Sequence, residues 1–211
     1  MTDPGRPAGL LLVRGSPNAV AAWAYRGQVG VDVVPLGQGW TGVLPVGLIS
    51  AVAPPYHDAV AMLFNRDVPT RLRPAIGVAV AAEVGLVAVS PRRWRAIRRW
   101  AAWTPGVGLT RPAHLPLAPL SAIVSASGAT VPGTREDLKD VLTDRAGDAR
   151  SVLVDVLTVL GLPGGALFEG STTVTSVRGV VRVDPSDRRV AGFETVAREE
   201  RSWREEVEEQ Q

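Results

Sequence analysis

The sequence predicts an α+β fold, with a ferredoxin-like (split βαβ) or related α/β sandwich in the N-terminal half. A helix pair, an antiparallel β-hairpin and a C-terminal helix follow in the second half. Three observations lead there. From Leu10 to Ala81, apolar runs and amphipathic segments succeed one another as strand, helix, strand, strand, helix, strand, the order of a split βαβ unit. From Thr104 to Pro119, Pro105, Gly106, Gly108, Pro112, Pro116 and Pro119 prohibit a long helix and mark a connector. Beyond it, Ala149 to Leu160 places Val152, Val156 and Val159 at helical spacing, and Thr173 to Val183 alternates with period two. The expected layout is a flexible N-terminus over residues 1–8, a sandwich over 9–111, and a second part over 112–211 packed closely on the first.

Each element has a local reason. Leu10 to Val13 is apolar at every position, the mark of a strand buried on both faces. Ser16-Pro17 then opens a helix through Arg26 with Trp23 inside, because serine accepts from a free first-turn N–H and proline has none to lose. Val29 to Val34 and Trp40 to Val46 read as strands around the Gly37-Gln38-Gly39 turn. Pro54-Pro55 precedes a helix from Tyr56 to Asn65, with Val60, Leu63 and Phe64 as its core side. Ile76 to Ala81 and Val84 to Val89 are β-branched runs joined near Glu83. In the second half Thr134 reads as an N-cap for a helix to about Arg145, and Ala149 to Leu160 as a second helix ended by Gly161 to Gly165. Asp184-Pro185-Ser186-Asp187 reads as a turn returning Arg189 to Val196 as a strand, and Ala197 to Gln211 as a helix.

The chemically loudest stretch is Ser90 to Trp103, with five arginines and three tryptophans. Ser90-Pro91 at one end and Thr104-Pro105-Gly106 at the other frame it as a helix over 91–103. At helical steps Trp94, Ile97 and Ala101 share one stripe flanked by Trp100 and Trp103, and Arg92, Arg95, Arg98 and Arg99 share the opposite arc. Strand, Ser-Pro and tryptophan-bearing helix would then repeat the plan of Leu10 to Arg26, an internal duplication. A guanidinium face of this kind suits phosphates or acidic protein surface. The competing explanation is a solvated helix face in an arginine-biased chain, since Lys139 is the only lysine among 23 basic residues.

Net charge is only +2, but unevenly placed. Residues 1–125 hold twelve arginines against five acids, a balance of +7, whereas 126–211 hold eleven basic against sixteen acidic residues, a balance of −5. The acids concentrate at the end, in Glu199, Glu200, Glu205, Glu206, Glu208 and Glu209. Charge asymmetry points to electrostatic pairing, so the acidic helix is expected to meet Arg92 to Arg99, in its own chain or a neighbour's.

Several classes are set aside. A cysteine-free chain has no disulfide, thiolate metal site or cysteine nucleophile, which fits a cytoplasmic location. Met1 to Pro7 lacks the layout of a secretory leader. The longest nearly uncharged run, Ala75 to Val89, contains Glu83 and falls short of the roughly 20 residues of a membrane span. No phosphate loop, dinucleotide fingerprint, nucleophile elbow or zinc-helix motif occurs, so no cofactor or metal is expected. His57 and His114 are the only histidines; His57, beside Asp58 at a helix start, is the one modest acid–base candidate. The expected function is therefore a non-enzymatic interaction or assembly subunit, its expected partners being another protein or a second copy of itself. Its partner-binding residues would be Arg92, Arg95, Arg98, Arg99, Trp103, Glu199, Glu200, Glu205 and Glu206. Nucleic-acid binding through Arg92 to Arg99 is the alternative, and an enzyme using His57 the third.

Overall fold

Leu10, Leu11, Leu12 and Val13 are all buried, so the strand they form needs an apolar layer on each side. The structure, a computed structural model describing residues 8–93 and 97–209 and side chains as far as residue 203, supplies both layers around one sheet. In chain order the elements are β1 (Gly9–Arg14), α1 (Pro17–Ala24), β2 (Val31–Gly37), β3 (Trp40–Pro45), α2 (Ala59–Asn65), β4 (Ala75–Ala81) and β5 (Val84–Ser90). There follow β6 (Arg99–Thr104), β7 (Gly108–Thr110), α3 (Leu120–Ser127), α4 (Thr134–Thr143), α5 (Ala149–Val159), α6 (Gly165–Glu169), β8 (Val181–Val183) and α7 (Asp187–Glu209). The chain is thus α+β, with an open eight-stranded sheet in the order β7-β6-β5-β4-β1-β3-β2-β8 and every named pair antiparallel. Among the described residues no helix is long and apolar enough to cross a membrane.

The two parities of each strand build two cores. Leu10, Leu12, Ile76, Val78, Val87, Val89 and Trp103 meet Ile123 of α3, Leu138 and Leu142 of α4, Leu153, Val156 and Leu157 of α5, and Phe168 of α6. Leu11, Val13, Val31, Val33, Val43 and Ala79 meet Val20, Trp23 and Ala24 of α1 and Ala59, Leu63 and Phe64 of α2. Local signals agree with the chemistry: Ser16 Oγ accepts from Ala19 N, Asp58 caps α2 through Ala61 N, and Asp148 caps α5 through Arg150 N and Ser151 N. Thr134 is instead the first residue of α4, its hydroxyl donating to the Val131 carbonyl at 2.7 Å, and Gly133 precedes it in the left-handed region.

The largest correction concerns 91–103. Among the described residues of this stretch there is no helix: β5 runs to Ser90, Arg99 to Thr104 is strand β6, and Trp94, Arg95 and Ala96 lie outside the described residues. Residues three apart share a face of a helix but take opposite faces of a strand. Trp100 therefore enters the α2 side, its ring 6.3 Å from that of Phe64, while Trp103 enters the α4 side and donates its indole N–H to the Asp144 carbonyl at 2.7 Å. Small residues of β5 make room, with Ala88 opposite Trp100 and Gly85 opposite Trp103. The tryptophan-bearing repeat of α1 does not exist, and Ser90 is a strand end rather than a cap.

The expected hairpin of 173–196 is corrected as well. Only Val181–Val183 is strand, pairing with β2, and Asp187 onward is one helix of 23 residues. Val174, Val177 and Val180 pack partly against the α3–α6 core, a spacing of three that overrides the period-two pattern. In α7, Val190, Phe193 and Ala197 are the inward positions, again at helical spacing. Leu120 to Ser127, of no assigned type in the sequence, is helix α3.

Gly77 decides how close α2 comes to the sheet: a Cβ there would stand 2.5 Å from Cε1 of Phe64. Gly77→Ala is expected to destabilise the fold by about 1–3 kcal/mol, as overpacked cores do. Urea denaturation of G77A should show this, with part of the loss recovered in G77A/F64L.

Candidate functional site

Several arginines stand where layers meet and bind the chain itself. Arg73, 8% exposed, donates Nε to the Val68 carbonyl at 2.7 Å, Nη1 to the Arg93 carbonyl at 3.3 Å and Nη2 to Asp67 Oδ1 at 2.8 Å. Arg98 donates Nε to Ser90 Oγ at 3.0 Å and Nη2 to the Arg66 carbonyl at 2.8 Å; its buried Nη1 has no hydrogen-bond partner among the described residues. Burial lowers the Arg98 pKa to about 10, Arg73 adding to the shift and Asp67 opposing it. Arg66 lies 4.3 Å over the Trp23 ring and donates to the Trp23 and Ala24 carbonyls. Burial, with the charge of Arg26 behind it, lowers its pKa to about 10. Arg14 over Trp40 and Arg150 over Phe168 repeat the stacking, at 4.1 and 4.7 Å.

These contacts redistribute the residues expected to bind a partner. Arg92 and Arg99 are exposed, Arg99 reaching the Leu117 carbonyl at 3.4 Å, but Arg98 is drawn inward and Trp103, 1% exposed, belongs to the core. Arg95 lies outside the described residues. Glu199 and Glu200 are exposed on α7; Glu205 and Glu206 belong to the same helix, their side chains outside the description. Among the described residues no continuous guanidinium face forms. Six strand intervals, about 29 Å at the usual 4.8 Å spacing, separate β6 from β8, after which α7 begins, so the root of α7 lies across the sheet from Arg99. His57 is exposed before α2, where its carbonyl accepts from Ser50 N at 2.7 Å, and His114 is exposed at φ 60°.

Two concavities stand out. One, about 1040 Å³, lies over the part of the sheet that α2 leaves open, with Ala79, Ala81, Leu86 and Trp100 as floor, Phe64 as wall and Asp58, Glu83 and Asp148 at its margin. The other, about 590 Å³, lies at the root of α7 and is lined by Arg26, Gln28, Arg188, Arg189, Gly192, Phe193 and Val196. There Phe193 meets Tyr56 edge-on at 5.2 Å, Ala197 is buried, and Ser186 N donates to the Tyr25 carbonyl. Beyond Ala197 every described side chain of α7 is exposed.

The root groove is basic. Arg188 and Arg189 stand in the first turn of α7, where the helix dipole disfavours cations, and Arg26 adds a third positive charge. None of the three has an ion pair among the described residues. Gly192 opens the middle of it, since nothing lies within 4 Å of a Cβ built there. A strand over Arg189 to Val196, as the sequence suggests, does not gather Arg188, Gly192 and Val196, so this group is not visible in the sequence reading. The legible signal was Val190, Phe193 and Ala197 at helical spacing.

No protein-family model matches the chain, and neither a curated protein nor a solved structure shows significant similarity to it.

Two tests separate the structural from the exposed polar groups. Arg73→Met should cost about 1–3 kcal/mol by stranding buried carbonyls, whereas Arg99→Ala should stay within about 0.5 kcal/mol of the parent, both by urea denaturation. Asp148 is held below the usual carboxylate range, chiefly by the Ser151 hydroxyl and also by the Ser151 and Arg150 N–H groups. A lowered folded pKa means stability that is present above the unfolded value and lost as pH falls through the folded one. Asp148→Ala should therefore cost about 1 kcal/mol at neutral pH, with the difference closing as the pH drops below the carboxylate range.

Proposed function

We propose that the protein is a non-enzymatic interaction or assembly subunit whose contact surface is the outward part of α7 together with the basic groove at its root. One observation carries this reading: Trp203 and Val196 stand 66% and 54% exposed on a helix whose inner side chains are already used. A large exposed aromatic and an exposed aliphatic residue two turns apart on one helix cost apolar hydration in the free chain, and tryptophan and arginine are the side chains most often responsible for binding energy at protein interfaces. The charge layout supports it further, because an acidic stretch and a group of three arginines occupy the two ends of one helix.

The finer fold assignment belongs to the same proposal. The sub-order β4-β1-β3-β2, with α1 and α2 on one face, supports reading residues 9–81 as a split βαβ unit extended by further strands at both edges. Such a unit is a platform; the contact surface is what the chain adds to it.

A photo-crosslinking amino acid placed at Trp203 tests the reading. The expected outcome is an adduct with one protein, identified by mass spectrometry, weakened at least tenfold by Val196→Glu and absent from a control position, exposed Arg135 on α4. No adduct, the same adducts from position 135, or adducts with nucleic acid alone would count against it.

A further inference from the structure

Resting on the assignment of α7 as the contact surface, we infer that its partner is the α7 helix of a second copy, paired antiparallel so that each Trp203 enters the groove at the other's Gly192. The argument starts from the hole. A glycine in the interior of a helix lowers its stability relative to alanine, and Gly192 relieves no contact in its own chain, because nothing lies within 4 Å of the position its Cβ would take. What the missing side chain does leave is the centre of a groove of about 590 Å³ with Phe193 and Val196 beside it and Arg26, Arg188 and Arg189 around it. An occupant must bring an apolar body and negative charge.

The far end of the same helix has that composition. Trp203 is 66% exposed, and the sequence around it carries Glu199, Glu200, Glu205, Glu206, Glu208 and Glu209 against Arg201 and Arg204. Within one helix the two ends cannot meet, since its 23 residues extend about 34 Å at 1.5 Å per residue. Two helices related by a twofold axis can. With the axis beside Arg198, Trp203 of one copy falls level with Phe193 and Gly192 of the other, and the backbone positions of Val207 and Glu208 fall level with Arg189 and Arg188. The symmetry makes every contact twice. It also opposes the two helix dipoles and brings carboxylate-rich sequence to arginines that the first turn of α7 otherwise disfavours. The bare backbone at Gly192 permits the close approach that an indole between two helices requires.

Mass measurement by light scattering across a concentration series of the full chain reads the pairing directly. The expected result is a species of twice 22.3 kDa at high concentration, with the dissociation constant raised at least tenfold by Trp203→Glu. Gly192→Leu is the decisive variant: the fold has space for it, so thermal melting should be unchanged or raised, yet it fills the hole and should raise the dissociation constant by a similar factor. Arg188→Glu/Arg189→Glu should also be monomeric, and mixing it with Glu205→Arg/Glu206→Arg/Glu208→Arg/Glu209→Arg should restore a mixed dimer. A wild-type monomer at every concentration, or a dimer indifferent to both Trp203→Glu and Gly192→Leu, overturns the inference. If the wild type is monomeric while position 203 still crosslinks to a different protein, self-pairing alone fails. If neither dimer nor adduct is found, the assignment of α7 as a contact surface fails with it.

Discussion

The need to cover β1 on both faces governs the rest of the molecule. Leu10 and Leu12 point one way and Leu11 and Val13 the other, all four fully or almost fully buried. Each side chain of this size contributes about 1.5–3 kcal/mol when removed from water, so neither face can be left open. The short helices α1 and α2, inserted between strands, cover one side; the second half of the chain is recruited to cover the other, through α3, α4, α5 and α6. By the time β8 has been added beside β2, both covers over the central strands are in place. The long helix that follows finds only a narrow seat around Tyr56, which is why its outward residues remain in solvent.

Arginine does the work at the seams of this arrangement. A planar guanidinium can lie on an aromatic ring while its edge donates to backbone carbonyls, a combination that lysine's point charge does not offer. Arg66 does both at Trp23, Arg150 does both at Phe168, and Arg73 joins the segment before β4 to the residues that follow β5. These side chains satisfy carbonyls where helices and strands end, positions at which an unpaired acceptor in a buried setting is costly. Five arginines, Arg14, Arg66, Arg73, Arg98 and Arg150, are partly or fully buried at these seams, while the other arginines with described side chains are exposed, among them the corner of Arg92, Arg93 and Arg99 and the root of α7.

That root differs from the seams in having no internal acceptor to explain it. Arg26, Arg188 and Arg189 gather around a glycine rather than an aromatic ring, at the positive end of a helix dipole. The contrast with Arg66 and Arg73 gives the groove its weight. Arg66, Arg73 and Arg150 lie against oxygen or π faces of the chain itself; at the root of α7 guanidinium groups stand beside apolar residues and an open space.

The sequence alone determined the elements whose signals are local. Ser16-Pro17 and the apolar run of Leu10 to Val13 mark α1 and β1 because capping and burial at these places depend on immediate neighbours, while α2, expected from Tyr56, begins at Ala59 behind the Asp58 cap. The charge layout, with acids gathered in the last residues, was equally plain. Tertiary structure decided the segments whose patterns satisfy two periods at once. Trp100 and Trp103 fit a helix stripe and a strand buried on both faces equally well, and only pairing with the small residues of β5 selects the strand, placing Trp103 in the core and turning Arg98 inward. Arg189 to Val196 likewise became helix, with β8 left at the sheet edge and Val190 and Phe193 turned inward at helical spacing, Phe193 against Tyr56. A strand's identity rests on what lies beside it, and that neighbour is fixed by the fold rather than by the residues next in the chain.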